Sequence, residues 1–161
     1  MVSLYLSLGS NLGDREANIR EALRLLDESF GTGYESLSDL IETESWGFEA
    51  EKFINCAVLY KLPRKRQSAA AQALEILRQI KVIERRMGRD EKVEFDGEGR
   101  RIYHSRLIDI DILFFGSQRI DLPELQIPHP LISERDFVLQ PLAQIAKTSL
   151  KQAFPVFFIN K

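Results

Sequence analysis

Residues 106–116 are nearly all apolar, yet two carboxylates alternate with isoleucines in the middle of the segment. A period of two is typical of a β-strand, whose successive side chains point to opposite faces of a sheet. The pattern predicts Asp109 and Asp111 on one face, with their Cα atoms roughly 6.5–7 Å apart. The opposite face would carry the apolar residues Ile108, Ile110, Ile112 and Phe114.

The two carboxylates of this strand repel each other, and holding them at the edge of a core is costly unless a partner compensates. A hard cation is the simplest partner, because Mg²⁺ prefers oxygen ligands and usually binds one or two carboxylates together with substrate phosphates. Asp109 and Asp111 therefore suggest a magnesium–nucleotide site. The alternative is a solvent-facing pair on an amphipathic strand, since Asp-x-Asp alone is a common pattern.

The segments before the acidic strand read as three strands and two helices. Helical spacing follows Asp14 and Ser68, two candidate N-caps, and each helix is expected to end at a glycine, Gly31 or Gly88. A long polar loop follows the second helix. The strands are predicted over residues 2–8, 34–43 and 53–60.

After the acidic strand, a turn at Gly116 predicts a short return strand over 118–122, and helical spacing predicts a last helix over 133–146. The order βαββαβ predicts an α+β fold, a ferredoxin-like sandwich in which helices pack on one face of an antiparallel sheet. The extra hairpin strand and the C-terminal helix would be additions to it. We expect a single domain over 1–161, with an aromatic tail at 147–161 that must pack on the protein.

The composition limits the partners and the compartment that are expected for the protein. With a net charge of −2 over 161 residues, the chain has no bulk attraction to nucleic acid or to an anionic membrane. The single cysteine, Cys56, excludes an internal disulfide and is expected to pack rather than react. We expect no signal peptide and no membrane span, which needs roughly 20 apolar residues. A cytoplasmic location is therefore expected.

Two segments carry candidate binding chemistry. Phe53 and Asn55 share a strand face, where a ring and an amide would suit a flat heterocycle, although ordinary strand surface is the alternative. Trp46 lies in an aromatic loop that either lines a pocket or caps the core. The chain begins with a strand, a glycine turn and a helix, but it lacks the phosphate-loop and dinucleotide glycine patterns.

Several separate motifs match one family in both order and spacing. They are Gly9-Ser10-Asn11-Leu12-Gly13, Phe53-x-Asn55, Glu84-x-x-x-Gly88-Arg89, Arg106-x-x-Asp109-x-Asp111-Ile112-Leu113, Pro128-His129-Pro130 and Arg135-x-Phe137-Val138-Leu139-x-Pro141-Leu142. Each motif is weak alone, whereas their joint order is specific. Over residues 2–146 the chain resembles the 6-hydroxymethyl-7,8-dihydropterin pyrophosphokinase family of folate synthesis.

The resemblance implies an ATP- and Mg²⁺-dependent enzyme that transfers pyrophosphate from ATP to the hydroxymethyl oxygen of the pterin and releases AMP. It implies two magnesium ions held by Asp109 and Asp111, with ATP as co-substrate. Arg89 and Arg106 would assist the transfer, because arginine binds phosphate oxygens and stays charged. The nucleotide side would be formed by Glu84, Tyr103, His129 and Arg135.

The pterin side is implied by the same resemblance. Phe53 and Phe137 would sandwich the flat ring, and Asn55 would bind its amide edge. The residues that match the family's pterin pocket are Thr43, Trp46, Phe53, Asn55 and Phe137.

Three positions depart from the family's usual pattern. His104 stands where a small residue is usual, Phe53 where tyrosine is common, and Glu124 where some members carry an arginine near the nucleotide. The loop from Arg89 to Arg106 is also longer than usual. These differences bear on loop closure and nucleotide affinity.

Two other classes of protein could carry some of these features. A non-catalytic ferredoxin-like ligand-binding or regulatory module is the main alternative, but such a module has no need of paired acids beside arginines. A magnesium-dependent nuclease is disfavoured, because the chain is acidic and lacks a basic aromatic groove.

Overall fold

The computed structural model of the chain describes residues 1–43, 52–88, 94–102 and 107–159. Short 3-10 turns at Ile132–Glu134 and Pro155–Phe157 accompany the last two helices. In chain order the other elements are β1 (Val2–Ser10), α1 (Arg15–Phe30), β2 (Ser36–Leu37), β3 (Ile41–Thr43), β4 (Phe53–Leu62), α2 (Ala69–Arg86), β5 (Glu94–Phe95), β6 (Arg101–Ile102), β7 (Asp109–Phe115), β8 (Ile120–Asp121), β9 (Gln126–Ile127), α3 (Asp136–Ile145) and α4 (Thr148–Ala153).

The central sheet has the strand order β2–β4–β1–β7, and β3 also pairs with β4. Each of these pairs is antiparallel. The predicted strand over 34–43 is two short strands, because the ladder is interrupted at Ser38, whose hydroxyl accepts a hydrogen bond from the Ala57 N–H at 2.8 Å. With β2 and β3 counted as one strand, this is the predicted ferredoxin-like order, so the α+β class is confirmed.

The first two helices begin at the predicted caps, and α1 ends at the predicted glycine, whereas α2 ends at Arg86 with Met87 as its C-cap, just before the predicted Gly88. The Asp14 carboxylate accepts a hydrogen bond from the Ala17 N–H at 3.1 Å and caps α1. The Ser68 hydroxyl caps α2 in the same way through the Ala71 N–H. Gly31 ends α1 in the left-handed region, at φ +72°, where a side chain would be strained.

Helices cover both faces of the sheet. The α1/α2 face carries Leu4, Leu6 and Leu8, which pack with the apolar residues of α1 and α2. The opposite face, called the α3 face below, carries Tyr5 and Ala57, which cluster with α3, α4 and the tail. The two helices of the predicted βαββαβ unit, α1 and α2, therefore share one face as expected, and the added helices α3 and α4 cover the other. Because β1 and β4 are buried on both faces, each face has a covering layer.

A β-bulge changes the faces of β7 near its end. Ile112 lies opposite Leu6, but Phe114 lies opposite Tyr5, so Leu113 is an extra residue in the ladder. Phe114 therefore packs on the α3 face. Phe115 instead packs on the α1/α2 face, in the place that alternation assigned to Phe114. The prediction that Phe114 shares a face with Ile112 is wrong, because period two holds only up to the bulge.

The predicted return strand over 118–122 is present as the short strand β8. Residues Ile120–Asp121 of β8 pair with Gln126–Ile127 of β9, and these two strands form a separate hairpin. The return strand is thus part of a hairpin, as expected, but it does not extend β7. Leu122 and Leu125 exchange backbone hydrogen bonds at 3.0 and 3.2 Å and close its turn.

Two expectations from composition can be compared with the structure. Cys56 is fully buried in β4, and burial raises the pKa of its thiol to about 12, which fits a packing role. The aromatic tail packs on the α3 face, where the ring of Phe154 lies 5.1 Å from the ring of Phe114. In the part of the chain that the structure describes, no helix combines the length and the apolar character that crossing a membrane requires.

Candidate active site

The two acids of β7 lie on the α3 face, as alternation predicts. Ile110, between them, is buried on the α1/α2 face, so Asp109 and Asp111 project on the other side, where both are partly exposed. The backbone between the two acids is fixed by a contact with α2, because the Ile110 N–H donates a hydrogen bond to the carboxylate of Glu84 at 2.9 Å. Glu84 is only 2% exposed, so α2 ties the acid strand to the core through a buried charge-assisted hydrogen bond.

The strand register brings distant residues into rows across the sheet. In one row Asp109 lies opposite Gly9, and Gly9 lies opposite Asn55. In the next row Asp111 lies opposite Ser7, and Ser7 lies opposite Ala57. Because residues directly opposite in an antiparallel pair share a face, Asn55 lies on the same face as the two acids.

Asn55 is held in a defined orientation at this face. It is 4% exposed, and its Nδ2 donates a hydrogen bond to the Thr43 hydroxyl. Thr43 lies opposite Phe53 in the β3–β4 ladder, so these three residues form one corner of the site. Gly9 lies next to this corner and leaves room for the amide, because a Cβ on Gly9 would lie 2.7 Å from Asn55 Oδ1.

Two basic side chains approach Asp111 from the segment before α3. The His129 Nε2 lies 3.8 Å from Asp111 Oδ1, and the Arg135 Nη1 lies 3.9 Å from Asp111 Oδ2. The guanidinium carbon of Arg135 also lies 5.7 Å from the centre of the Phe137 ring, a cation–π distance. His129, Arg135 and Phe137, predicted from motifs far along the chain, therefore meet beside the acid pair.

His129 is neutral near pH 7. Burial and, secondarily, the charge of Arg135 lower the pKa of His129 to about 4, and Asp109 offsets only part of this. Its Nδ1 accepts a hydrogen bond from the Leu131 N–H at 3.2 Å. The proton of the neutral ring is consequently on Nε2, the nitrogen that faces Asp111, so His129 offers a hydrogen-bond donor without a full charge.

A cavity of about 310 Å³ opens beside Asp111, between α2 and the β8–β9 hairpin. Lys81 and Glu84 contribute from α2, and Glu124 and Gln126 contribute from the hairpin. Its size is within the range of small-ligand pockets. Its apolar wall includes Leu77, Ile110, Ile112 and Leu125. An apolar wall with polar groups at its edge suits a flat base with a polar edge.

Four of the predicted site residues, Trp46, Arg89, Tyr103 and Arg106, lie outside the residues that the structure describes, as does His104. Their roles stay predictions. The other predicted residues are brought together in two groups, one at Asn55 and one at Asp111.

Sequence reasoning overlooked three polar residues of this region, Ser7, Lys81 and Gln126. Lys81 could have been found from its spacing, because it precedes Glu84 by one helical turn on the same face of α2. Ser7 carried no signal beyond its place in an alternating strand. Only the register shows that it is the neighbour of Asp111.

Residues 5–147 match the sequence model of the family described as 7,8-dihydro-6-hydroxymethylpterin-pyrophosphokinase, HPPK. The chain belongs to the HPPK family. The resemblance based on the separate motifs is therefore confirmed.

Curated relatives of the HPPK family align over nearly the whole chain. A 2-amino-4-hydroxy-6-hydroxymethyldihydropteridine pyrophosphokinase of Porphyromonas gingivalis is 40% identical over 148 residues, which cover 91% of this chain and 92% of the relative. The enzyme of the same name from Bacillus subtilis is 35% identical over 150 residues, covering 92% of this chain and 81% of the relative.

A solved structure shares the fold. The crystal structure of an HPPK-DHPS protein in complex with substrates matches with a TM-score of 0.57 and covers 97% of this chain and 43% of its own. Only 17% of the residues are identical, so this likeness supports the HPPK fold alone.

Proposed function

We propose that this HPPK-family chain transfers the β,γ-pyrophosphate of ATP to the hydroxymethyl oxygen of 6-hydroxymethyl-7,8-dihydropterin. The alcohol oxygen attacks the β-phosphorus and loses its proton, the bond from that phosphorus to the oxygen bridging to the α-phosphate breaks, and AMP leaves. The observation that carries the proposal is the pair of neighbouring rows that set Asp109 and Asp111 on the same sheet face as Asn55.

The acid pair suits Mg²⁺ better than a softer ion. Both candidate ligands are carboxylates on adjacent outward positions of a rigid strand. Such a pair fits a cation which takes one or two carboxylates and completes its shell with phosphates and water. Two ions at Asp109 and Asp111 would neutralise the triphosphate and favour attack at phosphorus.

The groups around Asp111 suit the nucleotide. The Nε2–H of His129 and the guanidinium of Arg135 both offer donors toward the space beside the acids, where phosphate oxygens would lie. The cavity between α2 and the hairpin, with Glu84 in its wall, would take the nucleoside. Tyr103 belongs to the same proposal through the family motif.

The corner at Asn55 suits the pterin. An amide can donate and accept at once, which matches the paired donors and acceptors on the edge of a pterin. The Thr43 hydroxyl holds that amide in place, and Phe53 and Phe137 provide rings for stacking. Trp46 would complete this pocket, as the family motif implies.

Transfer itself would depend on arginines, because phosphoryl chemistry consists mostly of positioning and charge neutralisation. Arg89 and Arg106 keep this proposed role through the family motifs. The proposal also includes a cytoplasmic monomer with small-molecule substrates and no nucleic-acid partner. The net charge of −2 supports the last of these, because it gives no bulk attraction to nucleic acid.

The test is incubation of the protein with ATP, Mg²⁺ and the hydroxymethyl pterin, followed by separation of the nucleotides. AMP that appears only when pterin is present supports the proposal. Formation of ADP, or no turnover, refutes it and favours the non-catalytic binding module. Asp109→Asn and Asp111→Asn should each lower the rate by orders of magnitude. Glu28→Gln, which alters an exposed carboxylate of α1, should not.

A further inference from the structure

Ser7 occupies the middle of the sheet face that carries the candidate metal ligands. In β1 it lies directly opposite Asp111 of β7 and, on its other side, opposite Ala57 of β4. Its neighbours Leu6 and Leu8 are buried on the α1/α2 face, so the Ser7 side chain points to the α3 face. Register and alternation therefore agree that Ser7 and Asp111 are side-by-side on one surface.

Ser7 is a largely buried residue of β1. The residue is 7% exposed, and among the side-chain hydrogen bonds of residues 1–43, 52–88, 94–102 and 107–159 none involves this hydroxyl. Of the two serines that β1 buries, Ser7 and Ser10, Ser7 is the one opposite an acid. Because largely buried polar side chains normally find a hydrogen-bond partner, we expect the Ser7 hydroxyl to gain one in the ligand-bound protein.

The reachable partner is the carboxylate of Asp111. Side chains directly opposite in an antiparallel pair have Cβ atoms about 4.5–5.5 Å apart, a separation that a hydroxyl and a carboxylate can bridge. The separations from Asp111 to His129 and to Arg135, 3.8 and 3.9 Å, are longer than hydrogen bonds. Neither of these two contacts is a hydrogen bond that Ser7 would have to replace.

We propose that Ser7 is a positioning residue of the metal site, whose O–H donates to the Asp111 carboxylate and orients its other oxygen toward Mg²⁺. This inference rests on the proposed function, because it needs a metal at Asp111. A group behind a metal ligand fixes the direction of the ligand, and removal of such a group typically lowers metal affinity about 10- to 100-fold. The hydroxyl of Ser7 would act on the metal only through Asp111.

Ser7→Ala is the decisive variant, because it removes the oxygen and keeps the Cβ. Mg²⁺ is titrated into the protein with a non-hydrolysable ATP analogue by calorimetry, and Mn²⁺ is titrated separately with detection by electron paramagnetic resonance. We expect the metal dissociation constant to rise about 10-fold or more. The matched control is Ser3→Ala, on the same strand and face but opposite Lys61, away from the acids.

Three readouts separate positioning from a structural role. Melting of the metal-free Ser7→Ala protein should match that of the wild type, the KM for the pterin should stay unchanged, and Ser7→Thr, which keeps a hydroxyl, should recover metal binding. Equal metal affinity in Ser7→Ala and Ser3→Ala would overturn the inference, as would a wild type that binds neither ion. The titrations need no turnover, so a wild type that binds metal but forms no AMP refutes the proposed function alone.

Discussion

Gly9 is expected to be indispensable to the pterin corner, and its replacement by alanine is a sharp test of the site. A Cβ on Gly9 would lie 2.7 Å from Asn55 Oδ1 and 3.3 Å from Phe53 Cδ1. Ordinary contacts begin near 3.4 Å, so the amide oxygen would have to move by about 0.7 Å. The conflict is steric, because Gly9 lies within the regular ladder of β1.

Asn55 has little freedom to make that movement. It is 4% exposed, its amide donates to Thr43, and its backbone is paired on both sides, with Gly9 and with Ile41. Either the bond to Thr43 breaks and leaves a buried amide unpaired, or β1 and β4 separate locally. We expect the free energy of unfolding to fall by about 1–3 kcal/mol in either case. A displaced amide would also raise the KM for the pterin by 10-fold or more.

The assay is steady-state AMP formation with the pterin varied at saturating ATP, together with denaturant unfolding. Gly33→Ala is the matched control, because a Cβ there meets nothing within 4 Å and the backbone is not in the left-handed region. The double variant Gly9→Ala/Asn55→Ala should lose little more than Asn55→Ala, since the clash disappears with the amide. A Gly9→Ala enzyme with the wild-type KM for the pterin would refute the assignment of Asn55 to that substrate.

Three further predictions concern the acid strand and its supports. A saturating Mg²⁺–ATP analogue should raise the melting temperature of the wild type by roughly 5–10 °C, as expected at about 100 times the dissociation constant. Asp111→Asn should lose that shift, and an undiminished shift in this variant would contradict the metal assignment. Glu84→Ala should cost about 1–3 kcal/mol in denaturant unfolding because the buried Ile110 N–H loses its acceptor, whereas Glu84→Gln keeps an acceptor and should cost less; equal losses would argue against the hydrogen bond. Because burial lowers the pKa of His129 from 6.5 to about 4, the unfolded chain binds the proton first. The free energy of unfolding of the metal-free protein should therefore fall as the pH is lowered from 6.5 to 4, by at most about 3 kcal/mol. A His129→Gln variant whose free energy of unfolding has the same pH dependence would refute this.

Much of the fold could be predicted from local pattern alone. Capping groups such as Asp14 and Ser68 act within one helical turn, so they are readable from neighbouring residues. Alternation placed Asp109 and Asp111 on one face because the side-chain period of a strand is a property of its own backbone. The family motifs then indicated the residues around them, although Trp46, Arg89, Tyr103 and Arg106 stay predictions.

Register and layering were decided only by the tertiary structure. The bulge that moves Phe114 to the α3 face, and the pairing of β8 with β9, depend on contacts between segments that local periodicity does not describe. The same is true of the rows that set Ser7 beside Asp111 and Gly9 beneath Asn55. A strand's sequence determines which of its side chains share a face, whereas the partner strand determines which side chain lies next to each of them.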